Sequence, residues 1–126
     1  MSYQHDTPET LYNELKELEA KIEDAGRQVH FSGQLAAQKK AVYEELKNKM
    51  LIEMHAEEAK SGTKRTIEQR QSIYRTTYAQ QRLEATLAEN EWKASGEYLR
   101  ALLGNQSSLQ TRNRILQADM HIARAA

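Results

Sequence analysis

Apolar and small residues recur along this chain at alternating steps of four and three. Leu11, Leu15, Leu18, Ile22, Ala25 and Val29 set the rhythm first. Leu35, Val42, Leu46, Met50 and Met54 then share one side of a second stretch, at steps of seven and four. A long last run follows: Tyr74, Tyr78, Gln81, Ala85, Ala88, Trp92, Ser95, Leu99, Leu102, Gln106, Leu109, Asn113, Leu116, Met120 and Ala123. Such spacing places one narrow apolar seam on a helix, which is the pattern of extended helices packed against one another rather than of a broad buried face. The expected fold is all-α, with coiled-coil-like packing, a long C-terminal helix and homo-oligomers.

Residues that start and stop helices divide the chain. Thr7-Pro8-Glu9 is a start signal: the Thr oxygen caps free amides, Pro loses no hydrogen bond at the first position, and Glu suits the positive end of the dipole. Residues 1–10 are otherwise read as a flexible N-terminal segment. Residues 11–60 form an acidic helical region of two helices, with a bend expected near 26–33 because Gly26 and Gly33 weaken helix locally. Ser61-Gly62 stops the second helix and 61–66 make a basic loop. Thr66-Ile67-Glu68-Gln69 then has capping-box spacing and opens a helix over 67–126. Gly104-Asn105-Gln106-Ser107-Ser108 is the place where that helix would split if it split at all; the continuous reading is preferred.

Composition agrees with long helices. Ala, Glu, Leu, Lys and Arg supply 62 of 126 residues, with one Pro and five Gly. Cysteine is absent, which excludes disulfides, a thiol nucleophile and Cys-ligated metals. No apolar run reaches the roughly 20 residues of a membrane span, and the first ten residues do not read as a secretion signal. The chain is therefore expected to be cytoplasmic. Gly-x-Ser-x-Gly, a phosphate-cradling Gly-rich loop and His-Glu-x-x-His are all missing, so no enzyme is expected. His55 with Glu53, Glu57 and Glu58 lacks the partner motif of a di-metal site and reads as a solvated helical face; neither metal nor cofactor is expected.

Charge changes the picture most. Eighteen basic and eighteen acidic side chains cancel, yet residues 1–60 carry a net −4 and residues 61–126 a net +4. The strongest local excess is Lys60, Lys64, Arg65, Arg70, Arg75 and Arg82 against Glu68 alone, a net +5 over 23 residues, with Tyr74 and Tyr78 among them. Cations neutralise phosphates and tyrosine rings stack on unpaired bases, the two requirements of a single-strand site. Those eight residues are the candidate nucleic-acid site. The competing reading makes the cations a solvated face and the tyrosines seam residues. Leu11, Leu15, Leu18, Ile22, Trp92, Leu99, Leu102, Leu109 and Leu116 are the candidate oligomerisation seam.

The layout around these residues is that of a known family. A basic loop lies near mid-chain, Ser61-Gly62 ends the helix before it, the long helix carries the run from Arg82 to Leu103 with Trp92 and Tyr98, and Ser108-Leu-Gln-Thr-Arg-Asn-Arg114 follows. Over roughly residues 28–120 this resembles the UvsY-type recombination mediators of tailed phages. The resemblance implies a small helical homo-oligomer that binds single-stranded DNA and helps load a recombinase onto strands covered by single-strand-binding protein, in the cytoplasm of an infected or lysogenic bacterium. The basic Lys-Ala-Arg-Leu element that precedes the loop in the best known member is Met54-His55-Ala56-Glu57 here, which moves the expected DNA contacts to Lys64, Arg65, Arg70, Arg75 and Arg82. Two other classes fit the same pattern: a coiled-coil assembly or adaptor protein of a phage, and a small helical inhibitor of a host nucleic-acid enzyme.

Overall fold

Thr7 begins the first helix by a reciprocal cap. Its Oγ1 accepts the Thr10 N–H at 3.2 Å, while Thr10 Oγ1 accepts the Thr7 N–H at 2.9 Å, so Thr10 does the work that Glu or Gln does in the usual capping box. The computed structural model describes residues 7–125 and, among them, holds three helices and no strand: α1 (Pro8–Ser61), α2 (Ile67–Thr77) and α3 (Ala79–Ala125). Residues 8–10 of the segment expected to be flexible belong to α1, and its first six residues lie outside the described ones. Among the described residues no helix is long and apolar enough to cross a membrane.

Two expectations about helix continuity are corrected. α1 runs unbroken through Gly26 and Gly33, where a bend between two helices was expected. The buried and half-buried positions Ala25, Val29, Ser32 and Ala36 carry the four-three rhythm past both glycines, and packing along it outweighs a helix penalty of about 1 kcal/mol per glycine. The long C-terminal helix passes through 104–108 without a turn but is interrupted at Tyr78, the C-cap of α2. There Thr76 and Thr77 turn their hydroxyls back onto the carbonyls of Ser72 and Ile73, at 2.7 and 2.8 Å. Such back-bonding bends helices, and two β-branched residues in succession add to it. Hydrogen bonds from Tyr78 N–H to Tyr74 and from Arg82 N–H to Tyr78 keep the helical ladder on both sides.

The chain divides into two compact units, one joining residues up to Val29 with those from Ala94, the other comprising His30–Lys93. In the first, the start of α1 lies antiparallel to the end of α3. Leu11, Leu18, Ala25, Leu102 and Leu109 form its buried cluster, with Leu15, Ile22, Leu99 and Leu116 packed against it. Glu14 and Arg112 pair at its margin, 3.5 Å apart. The leucines expected to join one copy to another are thus used inside the chain, because α3 folds back to serve as the partner of α1.

The second unit is an antiparallel hairpin of α1 against α2 and the start of α3, with a different seam. Its buried apolar residues are Ala36, Met54, Tyr74 and Ala88, and Ser32 and Glu58 are buried with them. Lys39 reaches across to Glu84 at 3.3 Å. A hydrogen bond from Gln80, together with that contact, holds the Glu84 carboxyl below its ordinary range; both partners are open to water, so the pair adds little to stability.

Leu18→Ala removes a side chain that is only 7% exposed, and a loss of about 2–3 kcal/mol is expected. Chemical denaturation monitored by circular dichroism measures it. The same truncation at exposed Leu87 should change stability far less.

Candidate nucleic-acid interface

The turn that reverses the chain is built around Glu58. Gly62 ends α1 with φ +72°, a left-handed conformation that glycine adopts without steric cost, and its N–H bonds to the Glu58 carbonyl at 2.9 Å. On the far side, Thr66 caps α2 in the capping box expected from its sequence, with Gln69 N–H on Thr66 Oγ1 at 3.1 Å and Thr66 N–H on Gln69 Oε1 at 2.9 Å. The Glu58 side chain joins the two halves. Its Oε1 accepts the Arg65 backbone N–H at 2.5 Å and the Arg70 guanidinium at 3.1 and 3.3 Å. The backbone donor first, then Arg70, pull the Glu58 carboxyl below its ordinary value of 4.5 against the opposing effect of burial. Its Oε2 makes no hydrogen bond, with His55 Nδ1 standing 3.8 Å away.

This arrangement corrects the reading of residues 53–58 as a wholly solvated face. Glu53, His55 and Glu57 are exposed, but Glu58 is buried. The signal was present in the sequence: Met50, Met54 and Glu58 continue one face at steps of four. Among the described residues no cluster of three His or carboxylate side chains is placed to hold a metal.

The eight candidate contacts separate into two sets. Arg70 is committed to Glu58 and its side chain is only 18% exposed. Arg65 is half-buried and pairs with Glu57 at 3.3 Å. Tyr74 is buried in the seam, with Lys47 Nζ 5.5 Å from its ring centre, and Tyr78 is half-buried. Tyr74 is therefore corrected from a stacking residue to a packing residue. Lys60, Lys64, Arg75 and Arg82 remain exposed, and none of the four has an ion-pair partner among the described residues. Arg75 and Arg82 stand seven positions apart, on either side of the interruption at Tyr78.

Sequence reasoning missed what lies beside Arg82. A groove of about 390 Å³ runs between α1 and α3 there, floored by Gly33, Ala36, Ala37 and Ala85. Lys40 and Tyr43 line it from α1, Arg82 and Trp92 from α3. Its two acids are drawn to neighbouring lysines, Glu44 to Lys47 at 3.3 Å and Glu89 to Lys93 at 3.5 Å, while Lys40 and Arg82 have no such partner. Trp92, expected in the seam, is instead 44% exposed. It rests over Gly33, where a Cβ would meet its Nε1 at 3.0 Å.

Comparison with known proteins returns no match: no family model, no curated protein and no solved structure is matched by the chain.

The Glu58 clamp makes stability depend on pH with a definite sign. A carboxyl whose folded pKa lies below its unfolded one stabilises the fold above the unfolded value and loses that contribution as pH falls through the folded value. Urea midpoints should be level near neutrality and drop below about pH 4.5. Glu58→Gln should lower the neutral midpoint and make its acid dependence shallower. An unchanged profile in that variant would place the acid sensitivity elsewhere.

Proposed function

We propose that this chain is a non-catalytic, single-stranded-DNA-binding accessory protein, of the kind that mediates phage recombination by assisting the loading of a recombinase. The observation that carries the reading is the set of uncommitted cations in the hairpin: Arg75 and Arg82 on α2 and α3, Lys40 across the groove from Arg82, and Lys60 and Lys64 near the turn. Phosphate neutralisation by such a set provides binding that ignores sequence and weakens with salt. The exposed indole of Trp92 beside it supports a preference for unpaired strands, whose bases alone are open to aromatic contact. The resemblance to UvsY-type mediators supplies the further partners of this reading, a recombinase and a single-strand-binding protein, and its setting in the bacterial cytoplasm.

The same reading has the chain act as a homo-oligomer, so that several copies share one strand and gain avidity from it. Support comes from Phe31, Val42, Leu83 and Leu87, large apolar side chains of the hairpin that are about half exposed or more. Self-association through these residues replaces the leucine seam that the chain uses internally.

Fluorescence anisotropy of a labelled oligonucleotide, single-stranded and duplex, at low and physiological salt tests the proposal. Tight single-strand binding that falls steeply with salt is expected. Arg75→Ala with Arg82→Ala should weaken it and flatten the logarithmic salt dependence by about 0.7 for each phosphate no longer neutralised. Absence of binding at low salt would sink the proposal and leave an assembly or adaptor role for the helical hairpin. Sedimentation of the intact chain tests the second part: a mass above one protomer is expected, reduced by Leu83→Glu with Leu87→Glu.

A further inference from the structure

The groove between Lys40 and Trp92 combines features that a merely solvated helix surface does not need. Gly33 sits in the interior of α1, where alanine would favour the helix by about 1 kcal/mol, yet a methyl group there would press on the indole of Trp92. The glycine makes room for a large aromatic residue that is left half open to water. Tyr43 lines the same small-residue floor, and cations enter from both helices, Lys40 from α1 and Arg82 from α3. An occupant that satisfies all of this has a planar aromatic part and a negative charge beside it.

We infer that this groove takes an unpaired nucleotide of a single strand, its base against Trp92 and its flanking phosphates on Lys40 and Arg82. The inference rests on the single-strand reading above and assigns the base contact that Tyr74 is too buried to make. Stacking of this sort tolerates any base, because every base offers a π-face.

Trp92 is the one tryptophan of the chain, so its emission reports on this groove directly. Oligothymidylate, and an abasic strand of the same length, would be titrated into the intact protein while anisotropy and indole emission are followed together. Thymidylate should quench the emission in step with the anisotropy, and the abasic strand should bind with little quenching. Trp92→Leu should weaken thymidylate binding about tenfold and Trp92→Phe much less, with helix content and melting checked in both. Normal anisotropy with unchanged emission, or equal quenching by the abasic strand, overturns the groove assignment and leaves single-strand binding standing. Binding of neither strand overturns both. Emission that changes with protein concentration alone would put a second copy in the groove and also overturn it.

Discussion

Reversal of the chain at the carboxylate of Glu58 is the constraint on which the hairpin depends. Three donors from the far side of the turn converge on one oxygen, and they fix where α2 starts relative to the end of α1. From that point the four-three rhythms of the two strands of helix meet in a single register: Lys47 falls beside Tyr74, Lys39 beside Glu84 and Gly33 beside Trp92. A buried carboxylate is costly unless it is paired. Here the cost is offset by a backbone N–H and a guanidinium, both supplied by the segment that the clamp positions.

Much of the fold was legible because it follows from local chemistry and periodicity. The Thr7-Pro8 start, the Ser61-Gly62 stop and the Thr66–Gln69 box each depend on side chains within a few residues of the amides they cap. The seam positions of the long C-terminal run coincide with the buried and half-buried positions of α2 and α3 from Tyr74 to Leu116, Trp92 excepted. Periodicity does not say which helix fills the other side of the seam. Leu11, Leu18, Leu102 and Leu109 carry the same spacing whether they meet a second copy or the other end of their own chain.

Charge was harder to read, for a related reason. A run of six cations against one acid looks free when only neighbours in sequence are counted. Arg65 and Arg70 find their acids eight and twelve positions back, in Glu57 and Glu58, because the turn brings those residues together. Arg82 stays uncommitted in a groove shared with Ala36 and Ala37, where Glu44 is already drawn to Lys47. The groove itself had no signature in sequence: it exists because Gly33, Ala36, Ala37 and Ala85, small residues that share no motif, fall side by side on two helices.

The division of the seam into a leucine-rich part near the chain ends and an alanine-rich, polar part near the turn bears on how the molecule forms. Contacts of the hairpin are local in sequence near the turn, so closing them costs little chain entropy. The cluster of Leu11, Leu18, Leu102 and Leu109 joins residues roughly 80 to 100 positions apart, so its closure costs more chain entropy. On a ribosome its first half emerges long before its second. The stripe of Leu11 and Leu18 therefore stays uncovered until Leu102 and Leu109 have followed it out.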